Sequence, residues 1–190
     1  MHRLILVNYW NKECWTLLTL FELTVPNYLR VINATIKVME KGAEYLQGKG
    51  VDLDEIVTMQ LADDMQPFSF QVTIVYHQAV NGMKGLLEGE FSPPQPVEKM
   101  SYSELIDYLK TGVTELSGFS EGQINARSNQ PMYFKYADKS IPFTTENFVL
   151  AFTYPNLYFH ATTIYDMLRM KGVPLGKPDF MGRLPIGLPE

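Results

Sequence analysis

Apolar residues recur at spacings of three and four through Leu29, Ile32, Ile36, Met39, Ala43 and Leu46. That period lines one face of an α-helix. Thr24 ahead of Pro26 reads as its start, because a first-turn proline lacks only an N–H that would go unpaired anyway. Gly48 and Gly50 read as its end. Residues 52–58 read as a short helical turn that opens on acidic side chains. A second long helix is predicted from Pro67 to about Leu87, ended by Gly89, with Asp63 and Asp64 suiting the positive end of its dipole. Ser101 and Glu104 have the spacing of a capping box, and Leu105, Leu109, Val113 and Leu116 supply the buried stripe of a third helix.

Residues 119–144 break the helical period. Residues 132–136 and 140–143, separated by Ala137, Asp138 and Lys139, read as a small hairpin, and Pro142 suits only an edge strand. Thr144 or Thr145 opens the last helix, Pro155 must kink or restart it, and Gly172 with Pro174 ends it. The Gly- and Pro-rich stretch that follows reads as an extended strap anchored by Phe180 and Leu184, with a lid over a pocket as the variant. The pattern predicts an all-α protein: a four-helix bundle with a small β-hairpin before the last helix and an extended C-terminal strap. Residues 21–190 form a single domain, and residues 1–20 read as an accessory extension.

Composition narrows the function classes. The 190 residues are 46% hydrophobic and 19% charged, which suits one globular domain. A net charge of −5 argues against a nucleic-acid partner. The single cysteine, Cys14, excludes an intrachain disulfide and a cysteine metal knuckle, so a reducing, cytoplasmic compartment is expected. The apolar runs near the N-terminus fall short of the ~18 residues of a membrane span. Trp10, Trp15 and Phe21 leave interfacial or partner binding as the alternative role of that extension.

Two internal histidines carry the candidate chemistry; His2 lies in the extension. His160 shares a face of the last helix with Asn156, Thr163 and Met167, and His77 shares one with Thr73, Asn81 and Lys84. Such groups, when buried, must pair, bind water or bind a ligand, since each unpaired one costs roughly 1–3 kcal/mol; the alternative is that each stripe is the solvent face of its helix. Two histidines facing each other across a bundle could hold zinc, nickel or iron, but a catalytic zinc site needs three protein ligands. Asp64 lies about three turns from His77 and Asp166 points away from His160. Core histidines paired with Asn, Thr or Tyr are the plainer reading, and acid–base use of either imidazole stays open. Tyr154, Tyr158, Phe159 and Tyr165 read as packing. There is no G-x-S-x-G, no P-loop and no G-x-G-x-x-G after a strand.

Several blocks together resemble a family of uncharacterised function: residues 23–26 (LTVP), residues 61–67 (LADDMQP) with Phe70 and Gln71, residues 155–160 (PNLYFH) and residues 172–177 (GVPLGK). The family is placed in the DinB/YfiT-like metalloenzyme superfamily, and the resemblance spans about Leu20 to Gly182. It implies a bundle whose core pocket, in metal-binding members, holds a divalent ion through three histidines, and some relatives are thiol-dependent transferases or isomerases. Carried over, His77 matches the second-helix ligand and His160 one of the last-helix pair. The positions four residues from His160 hold Asn156 and Ile164, so the triad is incomplete. The expected cofactor is a divalent metal, zinc, nickel or iron, or none tightly bound. Thr73, Asn81, Asn156 and Thr163 are the expected pocket residues. The expected function is a divalent-metal-dependent or degenerate enzyme acting on a small molecule. The alternative is a non-catalytic small-molecule-binding or stress-response module. A small-molecule ligand and a homodimer are the partners expected.

Overall fold

The computed structural model describes residues 18–186. The N-terminal segment with His2, Trp10, Cys14 and Trp15 therefore lies outside the described residues. Four long helical rods form the bundle. The first is α1 (Leu20–Gly48), followed by a short α2 (Leu53–Thr58). The second rod runs from α3 (Phe68–Tyr76) through a π-helical turn (His77–Asn81) into α4 (Gly82–Glu88). The third is α5 (Tyr102–Ser117), with a short α6 (Glu121–Asn125) after it. The fourth runs from α7 (Thr145–Asn147) through a second π-helical turn (Phe148–Thr153) into α8 (Tyr154–Met170). No helix among the described residues is long and apolar enough to cross a membrane.

The second rod is the core of the bundle. Every residue from 71 to 80 is buried, because α3 packs on both α5 and α8 while a sheet and the connector after it cover the remaining side. Its sequence is apolar nearly all round, as burial on every face requires. Polar groups within it consequently need specific partners.

Local signals explain most boundaries. Ser101 and Glu104 form the expected capping box, Asp52 caps α2, and Gly89 ends α4 in the left-handed conformation at φ 86°. The first helix starts earlier than the sequence suggests. Thr19, boxed with Glu22, is its cap, and Thr24 is buried inside the helix, donating to the Leu20 carbonyl at 2.6 Å. Leu20 is buried, so the domain starts inside the supposed extension. Pro155 does not restart the last rod. The π-helical turn ends just ahead of it, and Asn156 Nδ2 donates to the Phe152 carbonyl at 2.7 Å in the turn loosened by the proline.

The hairpin is part of a three-stranded sheet. β2 (Pro131–Tyr136) and β3 (Lys139–Thr144) pair antiparallel, and β1 (Glu90–Phe91) adds parallel to β2. The register sets Phe91 beside Phe134 on the inner face, over a small second core of Phe91, Met132 and Phe148. The sheet is held close to α4 at Gly85, where a Cβ would lie 2.5 Å from the Glu90 carbonyl. The C-terminal strap contains a short helix, α9 (Lys177–Met181), that packs along α1. Arg30 donates to the Met181 carbonyl and Lys41 pairs with Asp179, both at 2.7 Å. Phe180 packs edge-on to Tyr165, whereas Leu184 stays exposed.

Gly85→Ala is expected to lower stability by about 1–3 kcal/mol in urea unfolding, because the added methyl has no room against β1. Deleting residues 1–20 is expected to cost about 3 kcal/mol more than deleting residues 1–17, since only the longer deletion removes the cap and buried Leu20.

Candidate functional site

Two helices and the sheet line a solvent-open cavity of about 340 Å³. Phe70, Ile74, His77 and Gln78 line it from the second rod, at the three-and-four spacing that puts them on one face. Phe152, Asn156 and His160 line it from the fourth rod at intervals of four. Phe91, Phe134 and Tyr136 close it from the sheet side, and Pro93 with Pro94 forms the rim. Phe134 and Phe152 sit 4.6 Å apart by ring centroids, with Phe91 6.1 Å from each.

A chain of hydrogen bonds determines the state of His160. Gln71 is almost fully buried, and its Nε2 donates to the Gln66 carbonyl at 2.8 Å. A carbonyl only accepts, so the Gln71 amide can have one orientation. Its Oε1 therefore faces His160 Nδ1 at 2.7 Å and accepts the Nδ1 proton. Nε2 is left as the unprotonated nitrogen and has no hydrogen-bond partner among the described residues. Burial lowers the pKa of His160 to about 4, so the ring is neutral near pH 7.

His77 is committed differently. Its Nε2 lies 3.1 Å from the Ser92 carbonyl and must donate to it. Nδ1 then accepts from Asn81 Nδ2, also at 3.1 Å. Burial lowers its pKa, and the bond to Ser92 opposes that shift without cancelling it. Both ring nitrogens are thus engaged, and the ring lies tilted by 30° against Phe91, with centroids 4.6 Å apart. His77 ties the second rod to the connector that forms the cavity rim.

The expected pocket residues divide. Asn156 and the two histidines meet at this cavity. Thr73 and Asn81 line, again with His77, an adjoining cavity of about 670 Å³ beneath the connector, together with Lys84. Thr163 is buried and donates to the Phe159 carbonyl at 2.8 Å, facing neither cavity. The described residues of the strap line neither of these two cavities. In the sequence Gln71 stands out only as part of the family resemblance, and Gln78 does not stand out at all. Gln78 is buried, and its Oε1 is one of two buried side-chain atoms without a partner among the described residues. The available signal was two long amides inside an otherwise apolar helix, where each needs a partner.

The donor set does not suit a divalent ion. His77 offers no free nitrogen, and no three His, Cys, Asp or Glu side chains converge among the described residues. A catalytic zinc site takes three protein ligands. Here the one imidazole nitrogen without a partner among the described residues belongs to a ring in a lining otherwise made of amide, aromatic and aliphatic side chains.

Comparison with known proteins agrees with this fold. A crystal structure of a DinB family member protein from Shewanella denitrificans matches with a TM-score of 0.75 and 29% identity, covering 90% of this chain and 96% of that one. The model of a family described as a domain of unknown function (DUF1993) matches residues 20–181. None of the curated proteins matches the chain.

Folding stability is expected to depend on His160 in a defined window. The unfolded chain takes up the histidine proton near pH ~6.5, whereas the folded chain resists it down to about 4. Between those values the unfolded state binds more protons, so this contribution is complete above pH ~6.5 and lost as pH falls toward 4. Urea unfolding of His160→Gln should show a shallower loss of stability across that window than the parent protein.

Proposed function

On the premise that the chain belongs to the domain-of-unknown-function family DUF1993, we propose that it is a small-molecule-binding protein whose pocket works without a resident divalent metal. The observation that carries this reading is the neutral, Nδ1-protonated state of His160, which presents one hydrogen-bond acceptor to an aromatic cavity. A cavity of about 340 Å³ with apolar walls and few polar groups has the character of a ligand site. A conjugate acid near pH 4 makes His160 a weak general base at neutral pH, since proton transfer is most effective when the pKa lies near the working pH. Recognition through an accepted hydrogen bond suits that state better than proton abstraction. His77 serves as a structural tie, and Gln71 as the residue that orients His160.

The test pairs metal analysis with ligand binding. Protein purified from cells supplied with zinc, nickel and iron should hold no stoichiometric metal. It should still bind a member of a neutral small-molecule library saturably in the presence of a chelator, with binding lost in His160→Ala. One ion retained per chain in the parent protein and lost in His160→Ala would overturn the metal-free reading.

A further inference from the structure

The cavity beside His160 is uncharged. None of its lining residues is Asp, Glu, Lys or Arg, and its titratable rings are His77, Tyr136 and His160. The adjoining cavity is different: Lys84, Glu88 and Glu90 line it. Phe70, His77, Phe91, Pro93 and Pro94 belong to both linings and form the wall between them. Charge is thus confined to one side of that wall.

Resting on the small-molecule reading above, we infer that the His160 cavity takes an uncharged planar ring compound bearing a hydroxyl or N–H donor, of the phenol or indole kind. Three observations carry this. The first is the absence of a compensating charge of either sign, so an ionised ligand entering the cavity would lose hydration without gaining a counter-ion. The second is the acceptor at Nε2 of His160, fixed through Gln71 and the Gln66 carbonyl. The third is the wall of Phe91, Phe134 and Phe152, whose rings meet one another tilted or edge-on and offer both faces and edges to a further ring.

Discrimination should follow from the acceptor. A ring without a donor leaves Nε2 unpaired when the cavity is filled, which weakens binding by at least about tenfold. A carboxylate would bring its own acceptors against His160, and an ammonium group would find no carboxylate.

Four probes of similar shape test this against the full chain labelled with ¹⁵N at histidine, at pH 7. They are 4-methylphenol, 4-methylanisole, 4-methylbenzoate anion and 4-methylbenzylammonium. The expected result is that 4-methylphenol binds saturably and shifts the His160 Nε2 resonance. The other three should bind at least about tenfold more weakly. In His160→Leu the preference for 4-methylphenol over 4-methylanisole should fall to about one. Equal or tighter binding of the anion, the ammonium or the anisole, with the His160 signal moving, would overturn the ligand class while leaving the small-molecule pocket in place. If no probe moves the His160 signal, both the ligand class and the pocket reading fail.

Discussion

The hydrogen bond from His160 Nδ1 to Gln71 joins the fourth rod to the second across the bundle. It needs Gln71 in one orientation, and that orientation needs the Gln66 carbonyl. The loop preceding α3 is in turn held by Gln60, whose amide donates to the Asp63 and Met65 carbonyls. Two segments far apart in the chain, one around Gln66 and one around His160, thus act as a unit. The buried Gln71 amide has both ends satisfied, which is the condition under which a polar side chain is tolerated at that depth.

Full burial of the second rod makes the arrangement possible and limits what it can do. Burial holds both His77, on the second rod, and His160, on the fourth, toward the neutral form. His77 resolves its burial by bonding at both nitrogens, and His160 does so at one. The difference between them is a matter of partners, since they lie on comparable helices and line a common cavity.

Much of the architecture was legible because it is written in local patterns. The stripes of α1 and α5, the Ser101 box and the Gly89 stop each depend on residues within a few positions of one another. Thr24 misled because a buried threonine that bonds back to its own helix looks in sequence like a cap, while the true cap at Thr19 sat within an apolar run. The strand β1 is two residues long and exists only through its pairing with β2, so no periodicity announces it. The two π-helical turns and α9 are likewise set by packing. At the site, the histidines and Asn156 were visible as polar positions on apolar helices. Which ring nitrogen each histidine leaves free depends on Gln71, Asn81 and the Ser92 carbonyl, and that is a three-dimensional property. The missing histidine partner at Asn156 and Ile164 did, however, already point away from a three-histidine centre.

The central claim is the tautomer of His160. Two-bond ¹H–¹⁵N correlation spectra of the histidine-labelled protein at pH 7 read the protonation of each ring nitrogen directly. The account predicts Nδ1–H with a bare Nε2 at His160 and Nε2–H with a bare Nδ1 at His77. A His160 ring that carries its proton on Nε2, or that is doubly protonated near pH 6.5, would contradict it.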